Sequence, residues 1–211
     1  MKKFRVFIVL ALLVVFPIVS WLYLQRGMDY RKEILNDLAD LGTIVEFEID
    51  YGTAEPFHSS VYPEKLVIAT FFDPTNNSDK ALMGPLLQKL HEQFDERDDL
   101  LFISNLKSGN ELFLNRFAEE YAITDREQML FNLIPPSRWD GYTKAYYQIS
   151  EESYSAYGQK PFLLLIDQGG RVKRIYDAAN KEDIKKLIAQ TAMILPVKNE
   201  RELIFKREAE K

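Results

Sequence analysis

The feature that most constrains the fold is an almost unbroken apolar run at residues 66–72. A short run of branched and aromatic side chains, bounded by polar residues, is typical of a strand that is buried on both faces. A polar turn at 73–77 follows. Apolar residues then recur at helical spacing, at Ala81, Leu82, Leu86, Leu87, Leu90 and Phe94. The stretch therefore predicts a central strand, a short loop and an amphipathic helix.

A second block, at residues 161–176, predicts two further strands. An apolar run follows Pro161, and Gly169 and Gly170 then precede an alternating segment at 171–176. Two strands separated by a glycine turn form an antiparallel hairpin. Because this closing hairpin is antiparallel, we expect a mixed sheet.

The rest of the chain alternates between apolar runs and helical patterns. Strands are predicted at 44–50, 100–104 and 129–134, and helices at 111–121, 137–149 and from 181 to Pro196. Trp139 and Tyr142 should be half buried. This order predicts an α/β fold in which a mixed sheet is flanked by helices.

The N-terminus is expected to be a membrane anchor. Residues 6–24 are almost wholly apolar, and a helix needs about 20 such residues to span a bilayer. A cleaved secretory signal is the alternative, but the bulky Trp21 and Tyr23 lie where a signal peptidase requires small residues. Basic residues among the first five favour a cytoplasmic N-terminus. We therefore expect membrane lipid around residues 6–24, in a single-pass inner-membrane protein whose domain lies on the periplasmic side.

Residues 29–41 carry apolar side chains on one helical face and charges on the other. Two interpretations are open: a helix that docks on a partner, and a spacer helix that packs on its own domain. Gly42 should end this helix. The predicted organisation is an anchor at 1–27, a juxtamembrane helix and linker at 28–44, a globular domain at 45–196 and a charged tail at 197–211.

The blocks at 66–94 and 161–176 resemble the thioredoxin fold, and within it the Sco/SenC family of membrane-anchored proteins that deliver copper to cytochrome oxidase. The resemblance covers residues 45–195 and rests on element order, spacing and local patterns. In that family an aromatic strand end leads into a Cys-x-x-x-Cys loop that opens a long helix. The corresponding loop here follows Phe71 and Phe72.

The resemblance places the copper ligands of the family on residues that cannot replace them. The two cysteine positions fall on Pro74 and Ser78, and the histidine position falls at about Gln159. It also implies a cis-proline at Pro161, opposite the loop, whereas a trans proline that opens a strand is the alternative. The degenerate site loop then comprises Asp73, Pro74, Asn76, Asn77, Ser78, Gln159 and Pro161.

The absence of cysteine is the firmest functional constraint in the sequence. A chain without cysteine cannot form a disulfide, a thiolate metal site or a thiol redox centre. The formal net charge of -5 argues against a nucleic-acid partner. The sequence predicts no cofactor and no metal, and it identifies no small-molecule substrate.

The other candidate groups have structural explanations. Ser78 could act as a nucleophile only beside a base, and we expect it instead to cap the helix, with Asp79 at the positive end of the helix dipole. Met83 and His58 could bind copper, but a core position is expected for Met83. Asp73 and Asp79 could hold a hard cation, although carboxylates are common where a strand passes into a helix.

These features favour a binding or assembly protein and not an enzyme. It would be a cysteine-less Sco-like domain, held outside the membrane, that acts on a membrane protein complex in respiratory oxidase biogenesis. A structural accessory subunit of a membrane complex is one alternative. An enzyme whose chemistry moved elsewhere on the fold is the other, but the sequence supplies no nucleophile–base pair.

The missing cysteines give a direct prediction. A chain that begins at Met28 should not catalyse the reduction of insulin by dithiothreitol, because disulfide exchange requires a thiolate. The rate of insulin precipitation should equal that of a buffer blank. A catalysed rate that persists through repeated purification would contradict the prediction.

Overall fold

The computed structural model describes residues 2–45, 48–49, 57–58, 65–95, 97–107, 111–123, 125 and 127–196. Within these ranges, side chains are described for residues 13–45 and from residue 65 onward, except those of residues 111 and 113. The chain divides into two compact units, Met1–Leu38 and Ala39–Lys211.

The first unit contains one long helix, α1 (Lys2–Asn36), with Pro17 inside it. The helix predicted at 29–41 is therefore the last part of α1, and it ends at Asn36 instead of residue 41. Gly27 does not interrupt α1, since a glycine inside a helix costs only about 1 kcal/mol. The helix also ends well before Gly42, because residues 39–44 are held by backbone hydrogen bonds within the second unit.

Within the described part of the chain, no helix has both the length and the apolar character needed to cross a membrane. The side chains of residues 6–12, where the predicted anchor begins, lie outside that part. An anchor at residues 6–24 thus stays a prediction.

A small antiparallel sheet pairs β1 (Glu48–Ile49) with β2 (Phe57–His58). It contains part of the predicted strand at 44–50. Residues 46–47 and 50 of that strand lie outside the described residues, as does the whole tail at 197–211.

The main sheet of the second unit has five strands. They are β3 (Leu66–Phe72), β4 (Leu100–Lys107), β5 (Met129–Ile134), β6 (Phe162–Ile166) and β7 (Val172–Asp177). Their order across the sheet is β5-β4-β3-β6-β7. β3 pairs in parallel with β4, as β4 does with β5, whereas β3–β6 and β6–β7 are antiparallel. The predicted mixed sheet is confirmed.

Helices cover both faces of this sheet. They are α2 (Asn77–Phe94), α3 (Glu111–Glu120), α4 (Trp139–Tyr147), α5 (Glu151–Tyr157) and α6 (Lys181–Ile194). β3 is buried along its whole length, and its alternate side chains enter two cores. Phe71 contacts Trp139 and Tyr147 on one face, and Phe72 contacts Phe117 on the other.

The predicted helix at 137–149 has the wrong bounds. A 3-10 turn, Pro136–Arg138, leads into α4, which stops where Gln148 takes a left-handed conformation with φ of 49°. The helix α5 was not predicted from the sequence, although its start carries a recognisable signal. The Ser150 side chain accepts a hydrogen bond from the Ser153 N–H at 3.2 Å, and acidic residues fill the first turn, as is typical of a helix start.

The segment 39–44 runs along β7 and forms hydrogen bonds with backbone groups on its outer edge. The Ala39 N–H donates to Lys173 O at 2.9 Å, and the Val172 N–H donates to Gly42 O at 2.8 Å. Gly42 has φ of 144°, a conformation that favours glycine. Gly42 therefore shapes a covering segment for a sheet edge, and it does not end a helix as the sequence had suggested.

One close contact joins α2 to the segment after α3. Gly84 is buried in α2, and a Cβ atom at this position would overlap the ring of Tyr121. Gly141 in α4 offers a comparison, because a Cβ atom there would meet nothing within 4 Å. The absence of a side chain at Gly84 is thus what lets the Tyr121 ring approach the helix.

Substitution of the two glycines should change stability in opposite directions. Gly84→Ala should lower the free energy of unfolding by about 1–2 kcal/mol, because overpacking outweighs the gain in helix propensity. Gly141→Ala should raise it by up to about 1 kcal/mol. Denaturant unfolding measures both values, and equal effects at the two sites would show that the Tyr121 contact is unimportant.

Candidate functional site

The predicted site loop lies at the carboxyl end of the central strand, between β3 and α2. Phe71 pairs with Phe162 in the antiparallel register of β3 and β6, so Pro161 lies beside Phe72, at the start of the loop. The structure therefore brings the loop and Pro161 together at one edge of the sheet. This juxtaposition follows from the pairing of β3 with β6, and it is the one that the resemblance to the thioredoxin fold implied.

Asp73 closes the loop through hydrogen bonds of its own backbone and side chain. Its Oδ1 atom accepts from the Thr75 N–H at 2.9 Å and from the Thr75 hydroxyl at 2.6 Å. Its carbonyl oxygen accepts from the Asn76 N–H at 3.1 Å. The Asp73 side chain is consequently engaged in holding a tight turn.

Asn76 caps α2, and the prediction that Ser78 does so is wrong. Asn76 is extended, with φ of -80° and ψ of 116°, and its Oδ1 atom accepts from the Ser78 N–H at 2.9 Å. Its carbonyl oxygen accepts from the Lys80 N–H at 2.9 Å. Ser78 already lies in the first turn of the helix, where its backbone is a donor to the cap.

The same junction occurs a second time, between β7 and α6. Its three polar residues are Asp177, Asn180 and Asp183, which repeat the spacing of Asp73, Asn76 and Asp79. Asp177 Oδ1 accepts from the Ala179 N–H at 2.8 Å, Asn180 Oδ1 accepts from the Glu182 N–H at 3.0 Å, and Asp183 Oδ2 accepts from the Asp177 N–H at 3.2 Å. The site loop is thus built as a general strand-to-helix capping turn.

Asp79 completes the first of these turns from inside the helix. Its Oδ2 atom accepts from the Asp73 N–H at 3.2 Å. Burial raises the pKa of Asp79; the Asp73 N–H opposes this effect, the nearby Asp73 carboxylate adds to it and Lys107 opposes it. Protonation of Asp79 is therefore easier than for a carboxyl group in water.

The predicted site residues differ in exposure. Pro74 and Pro161 are buried, whereas Asn76, Asn77 and Ser78 are exposed at the start of α2. Gln159 is also exposed. What the loop offers to solvent is therefore a small set of amide and hydroxyl groups.

Pro161 is not a cis-proline, because the described residues contain no cis peptide bond. Its position explains why a trans bond suffices. It precedes β6, where no N–H is needed for the ladder, and its carbonyl oxygen accepts from the Ala178 N–H at 3.2 Å. The alternative interpretation, a trans proline that opens a strand, is the correct one.

Of the two histidines, only His91 has a described side chain, and it does not complete a site with Ser78. His91 lies toward the other end of α2, where its Nε2 atom is 3.2 Å from Asp125 Oδ2. The side chain of His58 is not among those that the structure describes. Met83 is fully buried, so the core position predicted for it is confirmed. No group of three or more His, Cys, Asp or Glu side chains in the described residues is arranged to hold a metal ion.

A polar cluster that was not predicted from the sequence lies under α4. Asn105 and Asn132 are paired residues of β4 and β5, and Asn132 Nδ2 donates to Asn105 Oδ1 at 3.1 Å and to the Tyr142 hydroxyl at 2.6 Å. Asn105 Nδ2 donates to the Tyr147 hydroxyl at 3.1 Å and to Thr70 O at 3.3 Å. An asparagine inside each of two apolar strands is the signal that could have revealed it, since buried polar groups require partners.

The architecture of the second unit is that of a thioredoxin-like protein. No protein-family model and no curated protein sequence matches the chain, whereas solved structures do. One is the thioredoxin domain of a thiol-disulfide oxidoreductase from Bacteroides vulgatus, at 14% identity and a TM-score of 0.50, covering 72% of this chain and 97% of the other.

Within that fold, Sco structures are among those that match, as the sequence resemblance predicted. A SCO1/SenC family lipoprotein from Bacillus anthracis matches with a TM-score of 0.60 at 16% identity, covering 76% of this chain and 98% of the other. BsSco, a member of the Sco family of cytochrome c oxidase assembly proteins, matches with a TM-score of 0.54 at 14% identity, covering 71% of this chain and 91% of the other. Identities this low establish the fold alone.

Asp79 gives a prediction for the dependence of stability on pH. Its pKa is higher in the folded protein than in the unfolded chain. Ionisation of Asp79 therefore lowers the stability of the folded state. This loss of stability develops as the pH rises from the unfolded pKa through the folded pKa. Asp79→Asn removes the ionisation. The stability of the variant relative to that of the wild type should therefore rise as the pH increases from 3 to 7, as measured by urea unfolding.

The repeated turn supplies a matched control. Asp183→Asn alters the equivalent hydrogen bond but also removes an ion pair with Arg174, in which Nη2 lies 3.5 Å from Oδ1. It should lower stability at pH 7 by up to about 1 kcal/mol. A stability difference between Asp79→Asn and the wild type that does not vary with pH would contradict the burial argument.

Proposed function

We propose that this chain is a membrane-anchored, non-redox binding or assembly factor of respiratory oxidase biogenesis. Its thioredoxin-like domain serves as a docking surface, and the loop at 73–78 forms the centre of that surface. Residues 6–24 hold the domain to the outer side of the inner membrane, and the partner is a membrane protein complex. Three features support this role: the loop, the sequence of the anchor and the fold that the domain shares with Sco proteins.

The observation that carries the proposal is the construction of the loop. Asp73, Asn76 and Asp79 form a capping turn whose hydrogen bonds recur at Asp177, Asn180 and Asp183. A loop of this construction needs no metal or thiol to hold its shape. The position that the family resemblance gives to a reactive centre is therefore kept as an ordered surface.

The groups on that surface suit recognition. Asn77 and Ser78 are exposed in the first turn of α2, where the positive end of the helix dipole favours negative or hydrogen-bond-accepting groups of a partner. The side chains of Asp73 and Asn76 already accept hydrogen bonds from backbone N–H groups within the turn. A partner can therefore bind the surface without first breaking the turn.

Site-specific photo-crosslinking in native membranes tests this proposal. A photoreactive benzoylphenylalanine at position 77, in the full chain, should crosslink to a subunit or assembly intermediate of a respiratory oxidase, in substoichiometric amount. The same residue at position 181 is the matched control, since Lys181 is exposed at the first position of α6, after the second copy of the turn. Little or no crosslinking is expected there.

Each other outcome has a distinct meaning. Equal crosslinking from positions 77 and 181 would contradict the loop as the docking surface. Stable copurification at equal stoichiometry would favour a structural accessory subunit over an assembly factor. Release of the chain from membranes by alkaline carbonate would contradict the anchor at 6–24.

A further inference from the structure

A pocket opens at the same edge of the sheet as the loop, but beside β5. Its volume is about 470 Å³, which is within the range of small-ligand sites. The residues that matter for its chemistry come from the end of β5, the 3-10 turn and α4. They are Asn132, Leu133, Pro135, Arg138, Tyr142 and Tyr146.

The floor of the pocket presents a hydrogen-bond acceptor. Asn132 is only 7% exposed, and its Nδ2 atom donates to Asn105 and to Tyr142. Its Oδ1 atom accepts no hydrogen bond from any residue in the described ranges. This oxygen is not one of the buried atoms without a partner, so it is accessible from the pocket that Asn132 lines, and a ligand N–H or O–H that reaches it would gain a hydrogen bond.

The orientation of this amide is fixed by a chain of hydrogen bonds. Thr70 O is a backbone carbonyl and can only accept, so Asn105 must direct Nδ2 toward it. Asn105 Oδ1 then faces Asn132 and accepts from Nδ2 of that residue. The oxygen of Asn132 is consequently the atom that remains for the pocket.

The rim of the pocket presents a cation. Arg138 is exposed in the last position of the 3-10 turn, just before α4, and it forms no ion pair with another described residue. A positive charge at a helix N-terminus is unfavourable. The acidic residue nearby in sequence, Asp140, accepts a hydrogen bond from the Tyr154 hydroxyl. An anionic ligand would therefore relieve the unfavourable position of Arg138.

The wall of the pocket is aromatic. The rings of Tyr142 and Tyr146 lie with their centroids 4.6 Å apart, and Pro135 and Leu133 add apolar surface. Burial raises the pKa of Tyr142, so its hydroxyl stays neutral at physiological pH. An apolar side chain of a ligand can pack on this wall while its polar groups reach Asn132 and Arg138.

We propose that this pocket binds a carboxylate that carries a neighbouring amide N–H, as in an N-acylated amino acid or the C-terminus of a peptide. The carboxylate pairs with Arg138, because a guanidinium group matches a carboxylate in two hydrogen bonds. The amide N–H donates to Asn132 Oδ1, and the last side chain packs on Tyr142 and Tyr146. Phosphate fits less well, because the pocket offers one cation and an acceptor oxygen. This inference does not depend on the proposed role in oxidase assembly.

Isothermal titration of the full chain in detergent tests the site. The first probes are N-acetylleucine and its primary amide, and the second pair is acetyl-Ala-Ala-Leu as the free acid and as the amide. The free acids should bind at least ten-fold more tightly than the amides. Tighter binding of the peptide acid than of N-acetylleucine would identify a peptide C-terminus as the source, and equal binding would identify the free acylated amino acid.

Two changes separate the contributions of the rim and the floor. Arg138→Gln should weaken binding of the free acids at least ten-fold, whereas Arg116→Gln, at an exposed arginine of α3, should leave it unchanged. N-acetyl-N-methylleucine lacks the N–H and should also bind more weakly, which tests Asn132 without disturbing its buried network. Absence of binding at millimolar probe, equal binding of acid and amide, or no effect of Arg138→Gln would overturn the proposal.

Discussion

The structure depends on a central strand that has no solvent-exposed face. β3 is buried at every position and is paired on both sides, in parallel with β4 and in antiparallel with β6. Phe71 shows what this requires, because its ring stacks on Phe162 at 4.6 Å and meets Tyr147 edge-on at 4.8 Å. The helices on both faces and the strands on both sides must all be in place before β3 is fully shielded from water.

The parts of the fold that were predictable from sequence are those governed by hydrophobic pattern. The run at 66–72 and the glycine turn after Asp167 led to β3 and to the β6–β7 hairpin, because burial on two faces and tight turns leave strong local signals. The order of the main-sheet strands and of α2, α3, α4 and α6 followed from the same patterns, whereas α5 and the short strand β2 were missed.

The parts that were not predictable depend on contacts distant in sequence or on competition between similar residues. Asn76 and Ser78 are both good capping residues, and only the backbone path decides between them. Pro161 could open a strand with either peptide isomer. The register that joins Asn105 to Asn132 is set by pairing between strands, so the cluster they form with Tyr142 is visible only in three dimensions.

The covering of β7 by residues 39–44 also has a consequence for the order of folding. The covering segment leaves the ribosome early, whereas β7 is among the last parts of the domain to be made. The Thr43–Arg171 bridge therefore joins the beginning of the domain to its end. Until synthesis reaches β7, the early segment has no backbone partner there, and this edge of the sheet can close only after nearly the whole domain has been made.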